Sequence, residues 1–106
     1  MSEAFWIGVN GGGTHVTARL IDRLETPRAE VFESGPANPR TVGIERAADA
    51  IATVVTEAQA FLRAHFPAAA IDGIACGIAG TGDPTRRAAL IEALSRRIRS
   101  TVAVTT

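Results

Sequence analysis

The succession of apolar runs and turn signals predicts an α/β domain built on a mixed sheet, in the order β-β-β-α-β-α-β. Three observations carry this. Two short strand-like runs flank three consecutive glycines, in FWIGVNGGGTHVTARLID. A long stripe of apolar residues at three- and four-residue steps follows. A nearly unbroken apolar run, IDGIACGIA, then leads into the helix-start signal Asp83-Pro84.

Phe5–Val9 is expected to be a buried strand. Thr14–Asp22 is a second, with Val16, Ala18 and Leu20 on one face and Thr17 and Arg19 on the other. Asn10-Gly11 is a hairpin-turn signal at their junction. RLETPR, residues 23–28, is a polar turn, and Ala29–Ser34 a third strand, which completes an antiparallel meander. GPANPR, residues 35–40, is a loop with two prolines. A helix is expected from about Thr41, with Ile44, Ala47, Ala48, Ile51, Val54, Val55, Ala58 and Leu62 inward. Glu45, Arg46, Asp49 and Glu57 face out, and Pro67 stops the helix.

Ile71–Ala79 is expected as a strand covered on both faces. Asp83 caps a second helix with Pro84 at its first position. This helix runs to about Arg99, with Ala88, Ile91, Leu94 and Ile98 inward, and Thr101–Thr105 begins a last strand. Parallel strands joined by right-handed crossovers, beside an antiparallel hairpin set, give a mixed sheet with helices packed on it.

A chain of 106 residues supports one domain, residues 1–106, around one core. With 46% hydrophobic and 21% charged residues and zero net charge, the composition argues against a disordered tail or a nucleic-acid partner. All eleven basic residues are arginine, which removes the phosphate-binding lysine of a P-loop and any Schiff-base lysine. The single cysteine, Cys76, can build neither an internal disulfide nor a multi-cysteine metal site and reads as a small buried hydrophobe. The N-terminus lacks signal-peptide character, and no apolar run approaches the roughly 20 residues of a membrane span. A soluble cytoplasmic protein is the expectation. The chain stops directly after a strand, which suggests part of a larger protein.

The glycines carry the chemistry. A P-loop requires a lysine, and a dinucleotide fingerprint requires a helix after its glycines. Here Gly11, Gly12 and Gly13 lead into Thr14-His15-Val16-Thr17, a β-branched strand pattern. A hairpin turn whose N–H groups converge on phosphate oxygens, with the Thr14 hydroxyl as a further donor, fits this order. The alternative is a plain tight turn, although two glycines would serve that geometry and a third costs stability, of the order of ~1 kcal/mol.

Taken together, GVNGGGTHVTARLID, GPANPRTVG and GIAGTGDP resemble the N-terminal lobe of N-acetylglucosamine kinases. These are sugar kinases of the actin, hexokinase and heat-shock ATPase superfamily, related to the ATPase activators of 2-hydroxyacyl-CoA dehydratase and benzoyl-CoA reductase. The resemblance spans essentially the whole chain. It implies a ribonuclease H-like, actin-like ATPase lobe and transfer of the γ-phosphoryl of MgATP to an amino sugar such as N-acetylglucosamine or glucosamine.

By the resemblance, Gly11, Gly12, Gly13 and Thr14 bind the β- and γ-phosphates of ATP, with His15 near them. An exposed strand histidine is the alternative for His15. Asn10 stands where relatives usually carry an acidic residue that helps hold Mg²⁺, and it is equally at home as a turn former beside glycine. Asn38 matches a loop asparagine that hydrogen-bonds a sugar hydroxyl, and a turn or cap role is the alternative. Gly80 and Thr81 close the inner strand near the substrate cleft, where a tight strand-to-helix loop would also need small residues. Asp83 reads as a cap and His65 as surface capping chemistry.

The resemblance expects the catalytic aspartate directly after Thr106, so no catalytic residue falls within the sequence. The second phosphate loop, the adenosine pocket and the C-terminal lobe are not in it either, and the 106 residues alone are expected to be inactive as a kinase. The partners expected are an amino-sugar substrate and the C-terminal lobe, with a homodimer as an option. Two other functions stay open: an ATPase activator of the dehydratase/reductase type, which needs cluster cysteines, and a noncatalytic binding module, which would present an exposed apolar face.

Overall fold

The computed structural model describes residues 4–24 and 26–105. Its elements are β1 (Ala4–Gly11), β2 (Val16–Asp22), β3 (Phe32–Ser34), α1 (Pro39–Val42), α2 (Ile44–His65), β4 (Ala70–Ile78), α3 (Pro84–Ser95) and β5 (Val102–Thr105). The strands form one sheet in the spatial order β3-β2-β1-β4-β5. The β1–β2 and β2–β3 pairs are antiparallel, and the β1–β4 and β4–β5 pairs are parallel. This is the expected mixed sheet, with one helical turn, α1, added to the expected order.

The alternation along the strands decides which face is covered. Phe5, Ile7 and Val9 of β1, Val16, Ala18 and Leu20 of β2, and Ile74, Cys76 and Ile78 of β4 are buried together. They meet Ala47, Ala48, Ile51, Val54, Val55, Ala58 and Leu62, the expected stripe of α2. A fully buried aliphatic side chain of this kind contributes about 1.5–3 kcal/mol, so the stripe fixes α2 on this face. Arg97, which follows α3, ties the two helices by bonding Glu45 at 2.9 Å and Asp49 at 2.9 Å.

The opposite face departs from expectation. β4 is covered on one side only: Asp72 and Ala75 are exposed and Gly77 is half-buried. Trp6, still 43% exposed, lies across Gly73, where a Cβ would meet its Cη2 at 2.7 Å. The run looked doubly covered because, Asp72 apart, its outward positions are glycine and alanine, which are small rather than polar.

Several boundaries also shift. Asn10 and Gly11 are paired residues of β1, opposite Thr17 and Val16, so the turn is not at Asn10-Gly11 but spans Gly12–His15, closed by Gly12 N–H donating to His15 C=O at 3.0 Å. β2 therefore starts at Val16 rather than Thr14. β3 is confined to Phe32–Ser34, and Pro27 makes only an isolated bridge to Ile21. Glu25, in the expected polar turn, and Thr106 lie outside the described residues.

The single helix expected from Thr41 is broken into α1 and α2 by Gly43, whose φ of +88° no regular helix accommodates. In α3 the packed residues are Leu90, Ala93 and Leu94, with Ile98 beyond the helix end, whereas Ala88 is exposed and Ile91 half-buried. Alanine fits either face, so the larger Leu90 sets the packed side.

Candidate phosphate and substrate site

Because β1, β3, β4 and β5 run the same way, the segments that follow them gather at one edge of the sheet. Ligands of open α/β sheets sit at such carboxyl ends. The glycine turn follows β1, the Gly35–Asn38 loop follows β3 and the Ala79–Asp83 loop follows β4. Main-chain bonds join all three. Ala37 N–H donates to Gly12 C=O at 3.2 Å, and Ala79 N–H donates to Gly11 C=O at 2.9 Å. The sequence-predicted residues Asn10, Gly11, Gly12, Gly13, Thr14, His15, Asn38, Gly80 and Thr81 are thus brought to one end of the molecule.

The three glycines differ in kind. Gly11 is buried, and a Cβ there would meet Ile78 Cδ1 at 2.8 Å and Ala37 Cβ at 3.2 Å. Its smallness serves packing. Around Gly12 and Gly13 a Cβ would meet nothing within 4 Å, and neither has the positive φ that favours glycine. Among the described residues, none accepts a hydrogen bond from the N–H groups of Gly13 and Thr14. Thr14 Oγ1 lies 3.0 Å from His15 Nδ1, and both residues are exposed. The turn therefore presents two backbone donors, a hydroxyl and an imidazole to solvent.

Asn10 is exposed at the end of β1, between Thr17 and Gly77, on the uncovered face. Among the described residues, no group of three His, Cys, Asp or Glu side chains could hold a metal ion. A magnesium ion takes oxygen ligands, usually one or two carboxylates together with phosphate. Asn10 offers a single neutral oxygen, so these residues do not make a site for the bare ion.

Asn38 caps α1: its Oδ1 accepts from Arg40 N–H at 2.9 Å. The amide oxygen is committed, which leaves the NH₂ group as the free half of the side chain. Thr81 is fully buried, and its Oγ1 lies 2.7 Å from Ile78 C=O and 3.2 Å from Thr105 C=O. It therefore binds the end of β4 to the end of β5. Asp83 Oδ1 accepts from Thr85 N–H at 3.0 Å, the cap its sequence position predicts. His65, stacked on Phe61, contacts Phe61 C=O through Nδ1 at 3.0 Å.

Cys76 is buried in the sheet, and burial pushes its thiol up to about 12. A thiol so placed is a packing residue rather than a cluster ligand. A groove of about 510 Å³ lies at the amino ends of β4 and β5, where Leu62, Phe66, Ile71 and Ile98 line it. It is at the far edge of the sheet from the glycine turn, whose surroundings form an open shelf.

Three residues of this shelf were not singled out from sequence: Arg40, Arg86 and Arg87. Arg86 Nη1 donates to Gly80 C=O at 3.3 Å, and Arg87 Nη1 approaches Thr81 C=O at 3.5 Å. Two arginines in the first turn of a helix whose only nearby acid is its cap, Asp83, were the available signal.

No family model matches the chain, and no curated protein matches it. Among solved structures, 44 chains match. One is the crystal structure of a protein from Chromobacterium violaceum provisionally named an N-acetylglucosamine kinase, with a TM-score of 0.65 at 24% sequence identity. The match covers 96% of this chain and 34% of that one, so the chain spans about a third of its structural neighbour. The chain has the α/β mixed-sheet fold of the matched third of that structure.

Proposed function

We propose that residues 1–106 form the N-terminal, phosphate-binding lobe of an ATP-dependent sugar kinase, with the ribonuclease H-like topology of the actin-like ATPases. The observation that carries this reading is the contrast within the glycine turn. Packing accounts for Gly11, but nothing in the fold requires glycine at 12 or 13. Bare backbone beside uncommitted N–H groups suits a phosphate chain in close approach. The amino sugar is an acceptor consistent with the structural neighbour's name and with the Asn38 NH₂ on the same shelf.

In this reading magnesium would be held chiefly by the phosphates of ATP, where it would neutralise charge, and Asn10 would add at most one oxygen or water contact. The sugar hydroxyl attacks Pγ, the bond from Pγ to the ADP oxygen breaks, and the hydroxyl proton passes to a carboxylate. That carboxylate is the aspartate expected directly after Thr106. Phosphoryl transfer depends on charge stabilisation from both sides of a closed cleft, so the 106-residue chain by itself is expected to release no ADP in response to sugar.

The test is a titration of the protein with ATP while backbone amide resonances are followed. Shifts confined to residues 10–15 and their neighbours at 37–38 and 79–82, lost in Gly13→Val, are the expected result. An unresponsive turn, or an equal response in Gly13→Val, would overturn the reading. N-acetylglucosamine-dependent ADP release by the complete protein then tests the acceptor.

A further inference from the structure

We infer that the acceptor side of this shelf is built for a sugar carrying an anionic group, a carboxylate in particular, rather than for a neutral hexosamine. The inference deepens the kinase reading and rests on it. Its ground is a convergence of arginines from two separate segments on one loop. Arg86 and Arg87 reach back from α3 to the carbonyls of Gly80 and Thr81. Arg40 approaches the same loop from α1, its Cβ 3.3 Å from where a Gly80 Cβ would stand. Asn38, whose free NH₂ marks the acceptor position, touches Gly80 between them.

The charge is compensated only in part. Across residues 10–15, 35–42 and 79–87 there are three arginines and one acid, Asp83, in a chain of zero net charge. Asp83 spends a carboxylate oxygen on the cap of α3. The ion pairs of the described residues involve Arg28, Arg96 and Arg97, none of them on this shelf.

The placement also runs against local preference. Arg86 and Arg87 lie in the first turn of α3, at its positive end, where acidic residues are favoured; the cap, Asp83, is acidic, but the first turn itself holds none. Such a conflict is expected where function sets the residue. Each guanidinium has five N–H donors, and the contacts to Gly80 and Thr81 take one from each. The remaining donors suit the paired oxygens of a carboxylate. A neutral sugar would leave them to water.

The test uses the complete protein with ATP and two acceptors. N-acetylglucosamine is compared with N-acetylmuramic acid, which keeps the same ring and adds a carboxylate on an ether arm. A kcat/KM about tenfold or more higher for the acid is expected, as for a charge-assisted contact. Arg86→Gln and the exposed Arg40→Ala should each lower that ratio toward one. Equal or better use of the neutral sugar would overturn the inference and leave the kinase reading standing. Arginine variants that raise the KM for ATP while the sugar ratio holds would assign these groups to the nucleotide and overturn it equally. Phosphorylation of neither sugar would instead count against the kinase reading itself.

Discussion

Asn38 and Gly80 are locked against each other: the Asn38 carboxamide occupies the space a Gly80 side chain would need, its Cγ only 2.8 Å from the Cβ position. Gly80 also holds φ at +86°, where L side chains are strained. Both constraints act at the meeting of the α1 cap and the loop after β4. Gly80→Ala is expected to destabilise the protein by about 2 kcal/mol or more, from strain and overpacking together. In a double-mutant cycle by urea unfolding, Asn38→Ala should recover the clash part of that loss and leave the backbone part. Strict additivity of the two substitutions would show that the residues do not press on each other.

The three adjacent glycines should separate cleanly. Gly11→Ala drives a methyl toward Ile78 and Ala37 and is expected to cost about 1–3 kcal/mol of stability. Gly13→Ala meets open space without a positive φ, so stability should hold or rise by about 0.5 kcal/mol through the unfolded state. Nucleotide affinity should move the other way, with Gly13→Ala weakening ATP binding about tenfold, or about 1.4 kcal/mol. Thermal unfolding and calorimetric titration on the same samples check both. A Gly13→Ala protein that binds ATP normally would leave the turn as a turn only.

The strands and helices were legible in the sequence because their periods were clean. The α2 stripe from Ala47 to Leu62 and the alternation Val16, Ala18, Leu20 each admit one burial face. Where small residues dominate, the pattern loses its direction. Ala88 could not declare its side of α3, and the Gly73, Ala75 and Gly77 side of β4 read as apolar although it is largely uncovered. Gly43 was unreadable as a helix break because it sits inside a good helical stripe, and only its φ reveals it.

Of the candidate site, the sequence supplied the residues but not their duties. Gly11, Gly12 and Gly13 look alike as letters, and only their surroundings divide packing from exposure. Thr81 looked available for substrate until burial showed its hydroxyl committed to the backbone. Arg86 and Arg87 were visible as a pair, but their convergence with Arg40 depends on a loop after β4 meeting a loop after β3.

Thr81 gives a third prediction. Its buried hydroxyl serves the carbonyls of Ile78 and Thr105. Thr81→Val keeps the shape and removes the donor, so a loss of about 1–2 kcal/mol is expected. Thr81→Ser retains the donor and should hold the β4–β5 contact. Amide exchange along Val102–Thr105 should quicken in the valine variant and stay near the native rate in the serine variant. Equal exchange in both would show that the hydroxyl does not hold β5.

Acid stability depends on the exposed carboxylates paired with arginine. The hydrogen bond from Arg97 holds Glu45 below its usual value of 4.5, with Arg96 and Arg97 adding charge attraction. The hydrogen bond from Arg28 holds Glu30 below 4.5 in the same way. A carboxylate with a lowered folded pKa binds protons less readily folded than unfolded. Its contribution is therefore complete above about 4.5, the unfolded value, and is lost as pH falls through the lower folded value. The melting temperature should be flat from pH 7 to pH 5 and then fall as pH drops below 4.5. Glu45→Gln should flatten part of that fall, because it removes the anchor between α2 and the turn after α3 at every pH. Added salt should shrink the difference between wild type and variant, since both side chains of the Arg96–Glu45 pair are more than half exposed. An acid limb unchanged by Glu45→Gln at low salt would assign the pH dependence to other carboxylates.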